Sequence, residues 1–147
     1  MISSTSAKKT IMKIFNEIRS SGMKKIISTS AAPGAIGPYS QAVEVNGTLY
    51  ISGQVAIDPV TGKIVEGGIT EQTTQALKNI KAILLAAGYS VNDVVKSTCL
   101  LADMSDFKAM NEVYARFYTS DQPARAAFAV KGLPLGGLIE IETVAVK

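Results

Sequence analysis

Two stretches of helical periodicity set among six of strand-like spacing decide what this chain can build. Between residues 70 and 87, Thr73, Ala76, Leu77, Ile80, Ile83, Leu84 and Ala87 recur at three- and four-residue intervals. That spacing predicts an amphipathic helix with a wide apolar stripe. Thr70 is its expected N-cap, with Glu71 favourably placed in the first turn. A second helix is predicted after Asp103 or Ser105, with Phe107, Met110, Tyr114 and Phe117 on its buried side. Strands are predicted over 25–28, 42–45, 49–52, 94–101, 124–130 and 138–146, the second and third flanking the hairpin signal Asn46-Gly47. The order β-β-β-α-β-α-β-β implies a single α+β domain, a mixed sheet with two helices packed on one face. The strands carry apolar residues on both faces, so the helices leave one apolar face uncovered. Pairing with copies of the same chain is the natural way to bury it.

The net charge of +3 is unevenly spread along the 147 residues. Residues 1–22 hold Lys8, Lys9, Lys13 and Arg19 against Glu17, whereas the remainder holds eleven basic and eleven acidic residues. The first segment is also rich in serine, and Ile11, Ile14, Phe15 and Ile18 fall at helical spacing. It reads as a leader or a disordered extension, with Met23 as an alternative start, and residues 23–147 as the folded domain. A leader of this kind would direct the chain to a mitochondrion or another organelle; without that role the expected compartment is the cytoplasm. The neutral body shows no basic face, which argues against nucleic-acid binding and against a ribonuclease. No apolar run is long enough to span a bilayer, so the chain reads as soluble with no membrane partner.

The chemistry open to the chain is narrow. There is no histidine and one cysteine, Cys99, inside a predicted strand. A Ser-His-Asp triad, a Cys-His pair and a His-containing zinc site are therefore excluded, and an intrachain disulfide cannot form. Two charged residues stand in apolar surroundings. Glu140 lies in Leu138-Ile139-Glu140-Ile141-Glu142 and shares a strand face with Glu142. If buried, it needs a cation, a donor or a water beside it; the alternative is a solvated strand face. Arg125 lies in Pro123-Ala124-Arg125-Ala126-Ala127-Phe128, where small neighbours leave room beside a planar fork that matches a carboxylate. The alternative there is an ion pair with Glu140, Glu142 or another acid. Tyr39 projects from the turn Gly37-Pro38-Tyr39-Ser40-Gln41, placed to cover an apolar ligand or simply to pack. In Ile51-Ser52-Gly53-Gln54, backbone can approach closely at Gly53, although a bend explains the glycine equally well. Together these features describe a pocket for a small acid.

The same segments, with Asn79-Ile80-Lys81-Ala82-Ile83-Leu84 and Leu133-Pro134 between them, stand in the order seen in the RidA (YjgF) family, which the chain resembles from Met23 to its end. The resemblance implies a chorismate-mutase-like fold and a homotrimer with clefts at subunit interfaces. It also implies cofactor-independent, metal-free hydrolysis of reactive 2-imino or enamine acids (2-aminoacrylate, 2-iminopropanoate, 2-iminobutanoate) to 2-oxo acids and ammonia. Under it Arg125 binds the substrate carboxylate and Glu140 holds the attacking water, while Tyr39, Ser52, Gly53 and Asn111 line the cleft. Many members carry a cysteine two residues after the arginine; here that position is Ala127. The alternative is a ligand-binding, regulatory or chaperone-like trimer that kept the cleft without turnover.

Overall fold

The computed structural model describes residues 4–20 and 22–147. Residues 1–3 and 21, which belong to the predicted leader, lie outside the described residues. Six strands form one sheet in the order β1-β2-β3-β6-β4-β5. They are β1 (Lys25–Ile27), β2 (Ala42–Val45), β3 (Thr48–Val55), β4 (Val94–Leu101), β5 (Ala124–Ala129) and β6 (Ile139–Val146). Only β4 and β5 run parallel, so the sheet is mixed, as the element order implied. The helices are α1 (Ser4–Ser20), α2 (Ile69–Ala86) and α3 (Phe107–Phe117).

The hydrophobic pattern explains the layering. Ile80, Ile83 and Leu84 of α2 and Met110 of α3 are fully buried against Leu49, Leu101, Ile139 and Ile141 of the sheet. Burying side chains of this size is worth about 1.5–3 kcal/mol each. Asn46 and Gly47 both adopt positive φ, at 49° and 74°, and join β2 to β3 across the Val45↔Thr48 pair. This is the two-residue turn whose twist suits a hairpin.

Two local details differ from the sequence reading. The N-cap of α2 is Gly68 rather than Thr70: the Glu71 carboxylate turns back and accepts the Gly68 N–H at 2.8 Å, so the helix starts at Ile69, two residues earlier than a cap at Thr70 would have it. β3 runs on to Val55, past Ser52. Its register against β6 shifts between Ile51↔Thr143 and Gln54↔Ile141, which leaves one extra residue in β3, a bulge at Ser52-Gly53.

Along β6, Ile139, Ile141, Thr143 and Ala145 are buried under the helices, while Glu140, Glu142, Val144 and Val146 face the other way. That second face also carries Ile26, Tyr50 and Phe128, each about half exposed. The uncovered apolar face expected from two helices on one sheet is therefore present.

Candidate functional site

The bulge builds the first half of the site. Without a side chain, Gly53 lets the β3 backbone lie against the Glu140 carboxylate; a Cβ at this position would collide with Oε1. Ser52 Oγ donates to the Ser40 carbonyl at 2.6 Å, and its N–H donates to the Gln41 carbonyl at 3.0 Å. These two bonds fasten the Tyr39 turn to the bulge. Gln41, buried, holds the preceding loop from the other side: its Oε1 accepts from Thr29 N–H at 2.7 Å, and its Nε2 donates to the carbonyls of Thr29 and Pro33 at 3.0 and 2.8 Å. From α2, the buried Asn79 donates to the carbonyls of Ile57 and Val55 at 2.9 and 3.3 Å. The result is a cavity of about 330 Å³ lined by Tyr39, Ser52, Gly53, Gln54, Glu140 and Leu135, among others. The structure thus brings together four of the predicted site residues. Gln41 and Asn79 were not among them; their signal is that each is a fully buried amide, which must find partners.

Burial, and secondly the charge of Glu142 on the same strand face, raise the Glu140 carboxyl above the usual 4.5. A group so perturbed in a cavity is suited to proton transfer. The sign follows directly. Were Glu140 to serve as a base it would do so only when ionised, so turnover would fall as pH drops through its raised pKa. Removing the neighbouring charge by Glu142→Gln should move that acid limb of kcat/KM to lower pH; a limb that stays in place removes Glu142 from the account. Gly53→Ala should leave folding intact, because the clash is with the end of a flexible side chain, yet push Glu140 out of position. A loss of activity of about tenfold or more at near-unchanged melting temperature is expected, in line with the sensitivity of catalysis to small misplacements.

The remaining predicted site residues, Arg125 and Asn111, lie on the other face. Arg125, on β5, donates from Nη1 to Asn111 Oδ1 of α3 at 2.7 Å. Its guanidinium carbon stands 4.7 Å from the Tyr114 ring centroid and 5.6 Å from that of Phe107. Aromatic faces attract a cation without neutralising it. No carboxylate of the described residues lies within ion-pair distance of Arg125. The internal ion pair that competed with the ligand-binding reading is absent, and most of its five N–H donors remain available. Tyr114 was expected on the buried side of its helix; that its ring also floors the arginine needed the register of β5 against α3.

Arg125 and Glu140 do not share a pocket within one chain. Arg125 is in register with Ser97, and Ser97 with Thr143, both buried beneath the helices. Glu140 is in register with Leu100, which pairs with Phe128, three residues further along β5, and it points to the opposite face. Strand spacing puts the two backbones roughly 10 Å apart across the sheet and roughly 10 Å along it. β5 is an edge strand, so Arg125 stands at a border that another chain can approach.

Cys99 is fully buried, and burial pushes its thiol up to about 11, against a smaller opposing effect of Arg125. It belongs to the core and is poorly placed to react as a thiolate. Among the described residues, no three His, Cys, Asp or Glu side chains are grouped to hold a metal ion, and no helix is long and apolar enough to cross a membrane.

Comparison with known proteins matches residues 29–147 to the family described as Endoribonuclease L-PSP. A relative from Mus musculus, named 2-iminobutanoate/2-iminopropanoate deaminase, is 56% identical over 128 residues, covering 87% of this chain and 95% of its own. The solved structure of RidA from an Antarctic Psychrobacter superposes with a TM-score of 0.81 at 49% identity, over 84% of this chain and 99% of that one. The structure of E. coli TdcF with bound serine also gives 0.81, at 42% identity, over 84% and 98%.

Proposed function

The chain belongs to the RidA/YjgF family of Endoribonuclease L-PSP proteins, and from that premise we propose that it hydrolyses reactive 2-imino and enamine acids to 2-oxo acids and ammonia. The observation that carries the proposal is the state of Arg125: a guanidinium oriented by Asn111 and two rings, with no carboxylate of the described residues against it. A small carboxylate is the guest that completes it.

The half-sites on opposite sheet faces meet when copies of the chain associate. We assign the working unit to a homotrimer in which the edge carrying Arg125 closes over the cavity carrying Glu140 of the next copy. The uncovered face with Ile26, Tyr50, Phe128 and Val146 supports such an assembly. Residues 23–147 supply the catalytic domain, and the cytoplasm is the compartment this reading assigns.

The chemistry needs little more than placement. The imine carbon of a protonated 2-imino acid is already electrophilic. Arg125 pairs with the carboxylate and fixes that carbon over the cavity. Glu140 takes a proton from water as the oxygen bonds to the carbon and the C=N bond becomes single. It then returns the proton to the nitrogen, ammonia leaves as the hydroxyl oxygen becomes the new carbonyl, and the ionised Glu140 takes the hydroxyl proton and passes it to the departing ammonia, which leaves the site as ammonium. Holding water and imine together is worth several kcal/mol, up to about 7–11 in ideal cases. Proton transfer through the carboxylate adds about 10²–10⁴-fold. Tyr39, Ser52 and Gly53 line the side of the guest away from Arg125.

The name of the matching family includes a ribonuclease activity. The absence of histidine and the neutral charge of residues 23–147 do not favour it. The test is clearance of 2-aminoacrylate and 2-iminobutanoate, generated in place by a dehydratase, with release of ammonia. Acceleration over the spontaneous rate is the expected result. Binding of 2-oxobutanoate with no acceleration would identify a ligand-binding module instead.

A further inference from the structure

Nothing in the deaminase reading uses α1, although it holds the densest exposed apolar surface of the described chain. Ile11, Met12, Ile14, Phe15 and Ile18 are each about half to two-thirds exposed. At 100° per residue, Ile14, Ile18, Ile11 and Phe15 fall within an arc of about 100°. Lys8 and Arg19 border that arc beyond Phe15, and Lys9 and Lys13 extend the charge around the polar side. Exposing four large apolar side chains on one contiguous strip marks an interaction surface. A 17-residue helix with no covered face also has little to hold it in water.

The charge of the strip selects what covers it. The domain that follows is neutral, so the whole positive balance of the chain resides in this segment. We propose that α1 is a docking helix for an anionic lipid bilayer, lying in the interface with Ile11, Ile14, Phe15 and Ile18 in the acyl boundary and its lysines and Arg19 among the headgroup phosphates. This is the geometry adopted by basic amphipathic helices whose polar face is too highly charged to enter the bilayer core. It departs from the expectation of no membrane partner, which rested on the lack of a spanning segment; a helix lying flat needs none. It is independent of the deaminase reading, because no residue of α1 is placed in that site.

The experiment is co-sedimentation of the full chain with vesicles of phosphatidylcholine alone and of phosphatidylcholine with about one-third phosphatidylserine. Binding to the anionic vesicles at least about tenfold tighter than to the neutral ones, weakening as salt screens the charges, is the expected result. Ile11→Ser/Phe15→Ser/Ile18→Ser and, separately, Lys8→Glu/Lys13→Glu should each reduce it by at least about tenfold. Thermal melting of both variants should be unchanged, which separates lost docking from lost folding. No binding to anionic vesicles, or binding equal for all three proteins, overturns the proposal. A change in oligomer size in the serine variant without vesicle binding also overturns it, by assigning the strip to a second copy.

Discussion

Arg125→Ala should cut turnover by about 30- to 5,000-fold, while the assembly and its melting temperature change little. The expectation rests on what surrounds the side chain. It forms no ion pair with any described carboxylate, so its removal strands no buried acid in the fold. What is lost is one hydrogen bond to Asn111 and the ring contacts with Tyr114 and Phe107, a modest sum for stability. For the substrate the loss is the whole charge-assisted contact, and truncating one partner of such a pair costs about 2–5 kcal/mol. Arg125→Lys should recover little. A lysine retains the charge but not the planar fork, and it cannot donate to Asn111 and to both oxygens of a carboxylate at once. Steady-state kinetics beside analytical ultracentrifugation checks both variants. Wild-type rates in the lysine protein would make Arg125 a structural residue.

Glu140→Gln should lower kcat by about 10²–10⁴-fold with a much smaller effect on the binding of 2-oxobutanoate. The amide preserves the shape that fits against Gly53 but cannot accept the proton from water. Its stability effect has a definite sign. Because the folded protein raises the Glu140 pKa, ionising that carboxyl destabilises the fold relative to the free chain. The penalty is absent below the unfolded value and grows as pH rises through the raised one. The glutamine protein should therefore melt slightly higher than the wild type at neutral pH and lose that advantage in acid. Full turnover by the glutamine variant would remove Glu140 from the mechanism and leave the water to another group.

How much of this was legible in the sequence varied with the range of the interaction concerned. Helix α2 and strand β6 could be read because their apolar periods are set by neighbours within the same element. The Asn46-Gly47 hairpin could be read because its backbone demand is local. The extension of β3 to Val55 could not, since the bulge at Ser52-Gly53 breaks the period of two at the point where the site begins. The cap at Gly68 was missed for a similar reason: the donor is satisfied by Glu71 reaching back, not by the side chain at the cap. Among site residues, Tyr39, Ser52, Gly53 and Glu140 do line one cavity, and Arg125 does bond to Asn111. That these form two groups on opposite faces follows from counting registers across β6, β4 and β5, information that no single strand contains. Gln41 and Asn79, which hold the walls of the cavity, stand inside segments that carry the family resemblance, but nothing local in the sequence marks either amide as buried.

The placement of Arg125 and Glu140 on opposite sides of one sheet has a genetic consequence. A chain lacking the arginine still offers an intact cavity, and a chain lacking the glutamate still offers an intact clamp. Under the proposed homotrimer, the two inactive proteins, unfolded together and refolded as mixed oligomers, should complement each other and regain part of the missing rate. Two defects confined to one self-contained pocket could never do so.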